Sequence, residues 1–554
     1  MQSSKPFTFR CAVSVVSALA CLLCDPVRAL QQGDGAAQCH DTLPAGANVV
    51  DEPQLRVAIV GSGIGGAAAA YQLSLLTNAT ITVFEAEDRV GGRIQEAQLQ
   101  DGTTLELGGS IGILANKHLV HFADVLGLQR VAPSPQTESI GIWDGARFVC
   151  QLDGSLSSKL RAVRRYKLAA WATARVVRKA VRQFVQIYDA QPVAAGNATR
   201  RAFSESRGLW RYLGLEGLTQ RPLAPYLHAR CALGTLHLIS RRYIREVVAA
   251  LTQVNYNQPP NTLTALAGLI GLAPDDTTFR VAGGMGQVPR GLLRRSGATV
   301  QLRTRVQQVV RAPCSDATMA GTDARSQSAD SRGTACRPQW LVKAAQADAA
   351  DEPPDVEPFD AVIVAAPMHL AGIQVSGEPQ YRAPPPQPYQ TVHASFVRGR
   401  LRRGYFNSSA QLNSKSAELP DFIGVTEGST AAFHSISRIK ATSEQGSGQS
   451  VHNGRQLFKM FTTADPHKAA LAEAFEEGAE LVAHTKWQAY PHYSAPERLP
   501  PFRLAPQLYY VNAIEAGASC IEISSIGGIN AANMLVQDTA NEPLGADNFS
   551  DDAW

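Results

Sequence analysis

The chain has 554 residues, 45% of them hydrophobic and 18% charged, a balance typical of a folded protein. At about 150 residues per domain, this length predicts two large domains or three to four ordinary ones, which excludes a small binding module and a disordered chain. The 52 Lys and Arg residues nearly balance the 48 Asp and Glu residues, giving a net charge of +4. Because the net positive charge is small, the molecule as a whole has no strong electrostatic attraction to nucleic acid, and we expect no nucleic-acid partner.

The first 29 residues have the pattern of a secretory signal peptide. Lys5 and Arg10 precede an apolar run over residues 11–24, and small residues follow near Ala29. This run spans only about 21 Å as a helix, short of the roughly 30 Å of a bilayer core, so a retained anchor is the weaker alternative. We expect cleavage near Leu30, a linker over 30–54 and entry into the secretory pathway. Sequons that agree with this route begin at Asn78, Asn197, Asn407 and Asn548.

A dinucleotide-binding unit follows the linker. An apolar strand over 55–60 leads into the glycine motif GSGIGG at 61–66, an alanine-rich helix to residue 76 and a second strand over 79–84. The acid Glu85 ends that strand, where it would accept hydrogen bonds from ribose hydroxyls, while the amides at the helix start would face phosphate. The expected cofactor-binding residues of this unit are Gly61, Ser62, Gly63, Ile64, Gly65, Gly66, Glu85 and Ala86.

Two further glycine-rich segments indicate which dinucleotide binds. The sequence VGGR at 90–93 and the sequence LELGGS at 105–110 resemble the segments that contact phosphate and flavin in the amine-oxidase-like FAD enzymes. Ordinary glycine-rich loops are the alternative interpretation. The resemblance implies non-covalent FAD, bound also by Gly92, Arg93, Gly108, Gly109 and Ser110.

A strongly basic segment lies in the mostly helical part of the chain between residues 130 and 272. Over residues 159–182 it contains nine basic residues and no acid, with apolar residues at helical spacing, which predicts one basic amphipathic helix. Two interpretations remain open. The helix is either a solvated face over a protein core or a surface that docks peripherally on an anionic membrane.

Three later segments match the same FAD superfamily. Gly283 and Gly284, the strand 299–302 and Val306 resemble the part that covers the adenine, and residues 359–367 resemble the strand beneath it. Residues 508–517 and the helix from 521 resemble the closing motif at the flavin, which adds Glu515 and Ile521 to the FAD residues. Between them, residues 312–357 are polar and predict a flexible surface insertion, with a short strand at 340–343.

The fold class expected from these patterns is α/β, with a Rossmann-like FAD-binding domain interleaved with a mixed-sheet plus helical substrate domain. We assign residues 55–130, 275–370 and 503–540 to the FAD domain. Residues 131–274 and 371–502 form the substrate domain, and 541–554 form a C-terminal tail. Among the six cysteines that follow the predicted signal peptide, no pair has CxxC spacing, so we predict no metal site.

Several tracts narrow the resemblance to one family. The sequences YPHY at 490–493, VNYNQ at 254–258 and FVRG at 396–399 are similar to tracts of the prenylcysteine oxidases, also called prenylcysteine lyases. The resemblance implies lysosomal or other lumenal enzymes that use oxygen to cleave S-farnesyl- or S-geranylgeranyl-cysteine, releasing cysteine, a prenyl aldehyde and hydrogen peroxide. It implies removal of hydride from the carbon bonded to sulfur, followed by addition of water.

Candidate catalytic and substrate residues are few. Glu515 and His492 are the catalytic candidates, with a structural or cofactor-binding role as the alternative. Tyr256 and Asn257 are candidates for the substrate pocket, although Asn257 stands where the family has glycine and a loop cap is the alternative.

Two other functions share the FAD motifs. An amine or polyamine oxidase would need an acidic or aromatic pocket for its substrate. A flavin-containing lipid-binding protein without catalytic activity would produce no peroxide.

Overall fold

The protein's structure is a computed structural model. It describes residues 54–99, 104–132, 139–192, 200–230, 232–233, 236–275, 277–312, 339–346, 353–406, 419–439, 451–452, 455–462, 465 and 469–540. The predicted signal peptide, nearly all of the linker and the C-terminal tail lie outside these ranges, as do three of the predicted glycosylation sites. Asn78 is described.

The chain alternates between strands and helices. The strands are β1 (Arg56–Val60), β2 (Thr80–Phe84), β3 (Glu96–Gln98), β4 (Thr104–Glu106), β5 (Gly112–Ile113), β6 (Arg130–Val131), β7 (Ile140–Trp143), β8 (Phe148–Leu152), β9 (Ala232–Leu233), β10 (Leu236–His237), β11 (Thr278–Val281), β12 (Thr299–Gln301), β13 (Thr304–Arg311), β14 (Trp340–Gln346), β15 (Asp355–Phe359), β16 (Ala361–Val364), β17 (Gln374–Ser376), β18 (Tyr389–Gly399), β19 (Phe422–Val425), β20 (Ser435–Ile439), β21 (Val451–His452), β22 (Arg455–Thr462), β23 (Glu480–Pro491), β24 (Arg503–Ala505) and β25 (Leu508–Tyr510).

The helices are α1 (Ile64–Leu76), α2 (Lys117–Val125), α3 (Leu156–Tyr166), α4 (Ala169–Phe184), α5 (Ile187–Ala190), α6 (Ser206–Tyr212), α7 (Glu216–Thr219), α8 (Leu223–Arg230), α9 (Arg241–Tyr243), α10 (Ala249–Tyr256), α11 (Ala265–Gly271), α12 (Gln287–Ser296), α13 (Met368–Ala371), α14 (Arg403–Phe406), α15 (Ala469–Ala474) and α16 (Ile521–Thr539). A π-helical turn (Ile244–Val248) precedes α10, and a 3₁₀ segment (Val511–Ala516) precedes α16.

The first sheet is a Rossmann-like sheet built from distant parts of the chain. Its strand order is β12-β2-β1-β16-β25-β24, parallel throughout except for the edge strand β24. Strands β1 and β16 lie at its centre and are almost entirely buried, which explains their continuous apolar sequences. Helix α1 packs against α12 and α16. The predicted α/β fold class is confirmed.

The second large sheet is mixed and contains strands from two separated stretches of the chain. Its order is β23-β18-β22-β20-β19-β7-β8, with β21 paired to β22. Most of its pairs are antiparallel, but β19 runs parallel to β7 and thereby joins residues 140–152 to residues 389–491. Its longest strands, β18 and β23, pair from Tyr389 opposite Pro491 to Arg398 opposite Glu480.

Residues 312–357, predicted as a flexible insertion, contain more regular structure than expected. Strands β14 and β15 extend a four-stranded sheet in the order β15-β14-β13-β17. The short strand predicted at 340–343 is confirmed as part of β14, where Trp340, Val342 and Ala344 alternate toward the core and are buried. The prediction of a flexible segment was wrong for β15, which pairs with β14. Residues 313–338 lie outside the described part of the chain.

The basic segment 159–182 forms two helices instead of the single helix predicted. The break lies at Lys167, whose φ of 53° ends α3, and α4 begins two residues later. The segment contains no Gly or Pro that would mark this break in the sequence. The turn allows Tyr166 and the alanines at the start of α4 to be buried together. Among the described helices, none has both the length and the apolar composition required to cross a bilayer.

Candidate functional site

The turn between β1 and α1 has the tight geometry expected of a dinucleotide-binding motif. Gly61 has a φ of 107°, and a Cβ there would lie 2.8 Å from the carbonyl oxygen of Ala365. A Cβ at Gly66 would lie 2.0 Å from the oxygen of Gly61. Only glycine fits these two positions, so α1 starts directly against the end of the sheet. A Cβ at Gly63 would meet nothing within 4 Å, because this residue faces an open cavity.

Glu85 is held at the end of β2 by the same turn. One carboxylate oxygen accepts hydrogen bonds from the Ser62 backbone at 2.9 Å and from the Ser62 hydroxyl at 2.5 Å. The other accepts from the backbone of Glu87 at 2.9 Å. The backbone nitrogen of Thr304 also donates to the Glu85 carbonyl at 2.7 Å, which fixes the start of β13 beside it. The carboxylate is thus oriented before any ligand binds.

The motif opens into a cavity of about 840 Å³, which we call the cofactor cavity. It extends over the edge of the Rossmann-like sheet to strand β23 of the mixed sheet. The predicted residues that line it are Gly61, Gly63, Ile64, Gly65, Glu85, Ala86, Gly92, Arg93, Gly109, Val306, Glu515 and Ile521.

Four predicted residues have other positions. Ser62 and Gly66 lie behind the lining and support Glu85 and Gly61 as described above. Gly108 also does not line the cavity, and a Cβ there would lie 2.1 Å from the oxygen of Arg93, so its glycine is needed for packing. Ser110 lines a second cavity instead, because the chain turns away from the cofactor cavity after Gly109.

Two helices begin at the cofactor cavity without a side-chain cap. The N-cap residues are Gly63 for α1, which has no side chain, and Cys520 for α16, whose side chain accepts no capping hydrogen bond. Residues of both helix starts line the cavity. Uncapped amides and the positive end of the helix dipole make each start suited to an anionic group.

An ion pair closes another side of the cofactor cavity. Arg93 binds the carboxylate of Glu515, which also accepts from the hydroxyl of Tyr389 at 2.8 Å and from that of Ser524 at 3.1 Å. Glu515 is only 1% exposed. Burial alone would raise its pKa, but the charge of Arg93 and these hydrogen bonds outweigh burial and lower it. Glu515 is therefore ionised and fully engaged, an arrangement that suits orientation of Arg93 better than proton transfer.

His492, the second catalytic candidate, lies away from the site. Its side chain is exposed and contacts Gln390, its backbone nitrogen donates to Pro388 at 2.7 Å, and it lines neither cavity. The prediction failed because the turn after β23 directs its neighbour Tyr493 into the core instead, with 0% exposure.

Several lining residues were not predicted from the sequence. They lie in β13, in the edge strand β23 and in the 3₁₀ segment before α16: Arg305, Lys486, Trp487, Gln488 and Asn512. Long-range pairing of β23 with β18, which no local motif reveals, accompanies its position at the cofactor cavity.

A second cavity of about 220 Å³ adjoins the first, and we call it the apolar cavity. Its walls come from helices α4, α10 and α11 and from the segment around Ile113. None of its lining side chains in the described structure is acidic or basic. Five residues line both cavities and form the junction between them: Gly109, Tyr490, Ser519, Cys520 and Ile521.

The two predicted substrate residues have different roles. Tyr256 lines the apolar cavity, donates from its hydroxyl to the carbonyl of Ser519 at 2.9 Å and packs edge to face on Tyr490. Asn257 does not line it. Its φ of 53° ends α10 and its side chain donates to Thr391, so the loop-cap alternative is the one observed for this residue.

Cys520 is a cysteine at the junction and bears on how a flavin is attached. Burial raises the pKa of its thiol to about 12, so the thiol is protonated at neutral pH. A protonated thiol is a poor nucleophile, which agrees with a cofactor held without a covalent bond.

One group of described side chains could hold a metal ion, although the sequence predicted none. His393, Asp465 and His484 offer ligand atoms within 4.8 Å of one another. Nδ1 of His393 lies 3.1 Å from Nε2 of His484 on the neighbouring strand. The group lines neither cavity, and its members come from separate parts of the chain, so no local spacing reveals it.

Comparison with known proteins agrees with this site. A family model described as prenylcysteine lyase matches residues 151–548, and one described as an NAD(P)-binding Rossmann-like domain matches residues 59–126. Farnesylcysteine lyase of Arabidopsis thaliana is 28% identical over 550 residues, covering 95% of this chain and 94% of its own. Prenylcysteine oxidase 1 of Mus musculus is 27% identical over 497 residues, covering 87% and 88%.

Solved structures with the same fold include two amine oxidases. A putrescine oxidase variant superposes with a TM-score of 0.52 at 16% identity, covering 87% of this chain and all of its own. Cyclohexylamine oxidase from Brevibacterium oxydans gives 0.50 at 14% identity, covering 88% of this chain. Similarity at this level shows the fold alone, whereas the first family model spans well over half of the sequence. The protein belongs to the prenylcysteine lyase family.

Proposed function

We propose that the protein is an FAD-dependent thioether oxidase that cleaves S-prenyl-L-cysteine during the breakdown of prenylated proteins. The products are free cysteine, a prenyl aldehyde and hydrogen peroxide, with one water and one oxygen molecule consumed. Family membership supports this reaction, since the relatives above are named farnesylcysteine lyase and prenylcysteine oxidase. The structural observation that carries the proposal is the apolar cavity adjoining the cofactor cavity.

The residues of the cofactor cavity fit FAD. Glu85 offers a preoriented acceptor for ribose hydroxyls, and the open space at Gly63 with the α1 amides suits a pyrophosphate. The uncapped start of α16 at the junction suits an electron-rich flavin ring. When bound, FAD supplies the two-electron acceptor that the oxidation needs and passes the electrons to oxygen.

The apolar cavity suits a prenyl chain. Leu266, Leu269, Ile270 and Phe184 line it, and burying each methylene contributes about 0.8 kcal/mol. Because Tyr490, Cys520 and Ile521 line both cavities, a chain bound in the apolar cavity has its thioether end at the junction. Binding energy from the inert chain thus positions the reacting carbon.

The junction needs no catalytic base. The carbon next to sulfur loses a hydride, and the resulting cation is stabilised by both the sulfur and the allylic double bond. Burial raises the pKa of Tyr256 well above its ordinary value and that of Tyr490 to about 12, so both phenols stay protonated. Water addition then gives a hemithioacetal that releases cysteine. The protein orients the substrate and provides uncharged surroundings for these reaction steps.

The amine oxidase alternative of the sequence analysis is disfavoured. The lining of the apolar cavity contains no carboxylate among the described residues to pair with an alkylammonium. Its aromatic pair, Tyr256 and Tyr490, meets edge to face at 64° instead of forming two parallel walls.

Product analysis with S-farnesyl-L-cysteine tests the proposal. Purified protein should release cysteine, farnesal and hydrogen peroxide in equal amounts, and acid should release the flavin into the supernatant. The variant Ala180→Phe projects a large side chain into the apolar cavity and should raise KM for S-farnesyl-L-cysteine at least about tenfold with the flavin spectrum retained. Arg182→Phe, at an exposed position of the same helix, is the matched control.

Two outcomes would replace the proposal. Faster turnover of putrescine or another aliphatic amine would assign the protein to the amine oxidases. Bound flavin without peroxide from either substrate class would favour a lipid-binding protein. Flavin that stays with the acid-precipitated chain would contradict non-covalent attachment.

A further inference from the structure

Helix α3 presents an unusual face to solvent. Ser158, Ala162 and Tyr166 are spaced four residues apart and are buried. The opposite face contains Leu156 and Leu160, which are 71% and 60% exposed. Large apolar side chains on the solvent face of a helix leave its apolar surface without a partner. A third leucine, Leu168 in the following turn, is 43% exposed.

Cations surround these leucines. Arg161 and Arg164 are exposed within one helical turn of Leu160, and Lys167 is exposed beside Leu168 in the turn that follows α3. We call these six residues, Leu156, Leu160, Arg161, Arg164, Lys167 and Leu168, the α3 face. Arg165 does not belong to it, because its guanidinium donates to Glu246 at 2.7 and 2.8 Å and lies half-buried.

Helix α4 continues the basic surface. Its exposed positions are Arg175, Arg178, Lys179 and Arg182, at the spacing of one helical face. No acidic residue occurs in the sequence between Asp153 and Asp189, so the cations of both helices are not balanced by acids of their own segment. The two helices together therefore form a strongly cationic surface with protruding leucines.

The same helix α4 forms a wall of the apolar cavity. Ala180, Val181 and Phe184 line the cavity, while Lys179 and Arg182, their neighbours in sequence, face solvent. The cavity also has an exposed apolar rim, since Ile111 lines it and is 41% exposed. A surface bound through α3 and α4 would thus lie beside the helix that encloses the proposed prenyl site.

We propose that the α3 face and the exposed cations of α4 dock the protein on an anionic phospholipid bilayer, from which it takes its prenylated substrate. This inference rests on the proposed function for the identity of the substrate. Arginine and lysine bind the negative headgroups, and the three leucines enter the acyl boundary, the division of roles typical of interfacial amphipathic helices.

The arrangement favours a bilayer over other anionic partners. Nucleic acid or an acidic protein would use the cations but would gain little from isolated exposed leucines. A bilayer uses both. A prenyl chain also partitions into lipid, so a docked protein meets its substrate where that substrate is concentrated.

Vesicle cosedimentation of the full-length flavoprotein tests the proposal. Wild type should bind phosphatidylcholine vesicles containing 25 mol% phosphatidylserine, bind them less in high salt and bind pure phosphatidylcholine weakly. The charge variant Arg161→Gln/Arg164→Gln/Lys167→Gln should bind roughly 100-fold more weakly. The leucine variant Leu156→Gln/Leu160→Gln/Leu168→Gln should bind these vesicles about tenfold or more weakly than wild type at every salt concentration.

Matched controls separate docking from net charge and hydrophobicity. Arg294→Gln/Arg295→Gln/Arg403→Gln removes three exposed cations elsewhere, and Leu75→Gln/Leu302→Gln removes exposed leucines elsewhere. Both controls should bind vesicles like wild type. All variants should oxidise S-farnesyl-L-cysteine in free solution equally, whereas oxidation of the same compound embedded in anionic vesicles should fall only in the docking variants.

The outcomes distinguish this inference from the proposed function. Vesicle binding without oxidation of soluble S-farnesyl-L-cysteine would refute the function and leave docking intact. Oxidation in solution with wild-type vesicle binding by the charge and leucine variants would refute docking. Binding of wild type to soluble polyglutamate but not to anionic vesicles would also refute it, and would identify an acidic protein as the partner.

Discussion

The contacts of Glu515 suit a residue that positions a neighbouring side chain at the cofactor cavity. Glu515 is buried beside the cofactor cavity, paired with Arg93 and hydrogen-bonded by Tyr389 and Ser524. Its pKa is lowered, so the pair contributes stability at neutral pH that is lost as pH falls through the folded-state pKa of the carboxyl group. The sequence predicted both Glu515 and Arg93 at the flavin. Their pairing could not be predicted, since it joins positions 422 residues apart.

Reversing the charge at Glu85 should empty the cofactor cavity. In Glu85→Arg the new side chain cannot accept from Ser62 or from a ribose, and it places a cation where an acceptor is required. We expect purified protein with less than about a tenth of the wild-type flavin absorbance, because charge-assisted acceptor bonds contribute about 1.5–3 kcal/mol each. Glu480→Arg, at an exposed position, should keep its flavin. Full flavin occupancy in Glu85→Arg would contradict the assigned role.

Glu522 should make the stability of the fold depend on pH. Burial raises its pKa to about 7, although the Tyr188 hydroxyl and the amides of Leu119 and His118 donate to it. A carboxyl group with a raised folded-state pKa binds its proton more tightly in the folded protein, so its contribution falls as pH rises from about 4.5 to about 7, by about 3 kcal/mol.

The variant Glu522→Gln isolates this effect. Relative to wild type, its melting temperature should be higher at pH 8 than at pH 5, because the variant has no charge to bury. Glu480→Gln should show no such difference. A constant offset between Glu522→Gln and wild type at both pH values would mean that Glu522 is ionised in the folded state throughout this range.

At the scale of elements, prediction succeeded where a segment carries its own signal. Strands β1, β2 and β16 are buried on both faces and therefore read as short apolar runs bounded by glycine or acid. Strand β15 was not predicted, because it pairs along one edge only and its sequence is largely polar. The break between α3 and α4 was not predicted, because it depends on a positive φ at Lys167 and lysine does not favour that conformation.

The contact between α1 and α16 is close enough to test by one methyl group. A Cβ at Gly528 would lie 2.0 Å from the carbonyl oxygen of Gly65, so Gly528→Ala must separate the two helices whose starts border the cofactor cavity. We expect a loss of about 1–3 kcal/mol in unfolding free energy together with weaker flavin retention. Gly217→Ala, in helix α7 with nothing within 4 Å, should show neither. Unchanged stability of Gly528→Ala would contradict the close packing.

At the scale of the whole molecule, the sequence predicts the residues of the FAD-binding motifs, but it does not predict the apolar cavity beside them. The glycine motifs are local, so Gly61 to Gly66 and Glu85 could be placed from spacing alone. The apolar cavity could not, because its walls come from α4, α10 and α11 and no short motif marks them. The same long-range assembly explains why Ser110, predicted at the cofactor cavity, lines the apolar cavity instead.

The secretory route also belongs to this scale and can be tested at Asn78. This sequon lies at the turn between α1 and β2 and its side chain is exposed, so a glycan would meet no obstruction there. Protein from a eukaryotic host should begin near Leu30, and glycosidase treatment should increase its gel mobility. Asn78→Gln should remove part of that shift. An intact Met1 with no shift would contradict entry into the secretory pathway.

The interleaved order of the Rossmann-like sheet has a consequence for biosynthesis. Strand β1 leaves the ribosome roughly 450 residues before β25, and α16, the helix that packs on α1, is later still. At about 5–20 residues per second, translation completes the parallel part of this sheet only roughly 20 to 90 s after β1 has been made. During that interval the glycine turn has no opposite helix start, so we expect the nascent chain not to retain FAD and cofactor loading to follow chain release. A premature stop codon anywhere before residue 521 would therefore yield a polypeptide that never becomes a flavoprotein.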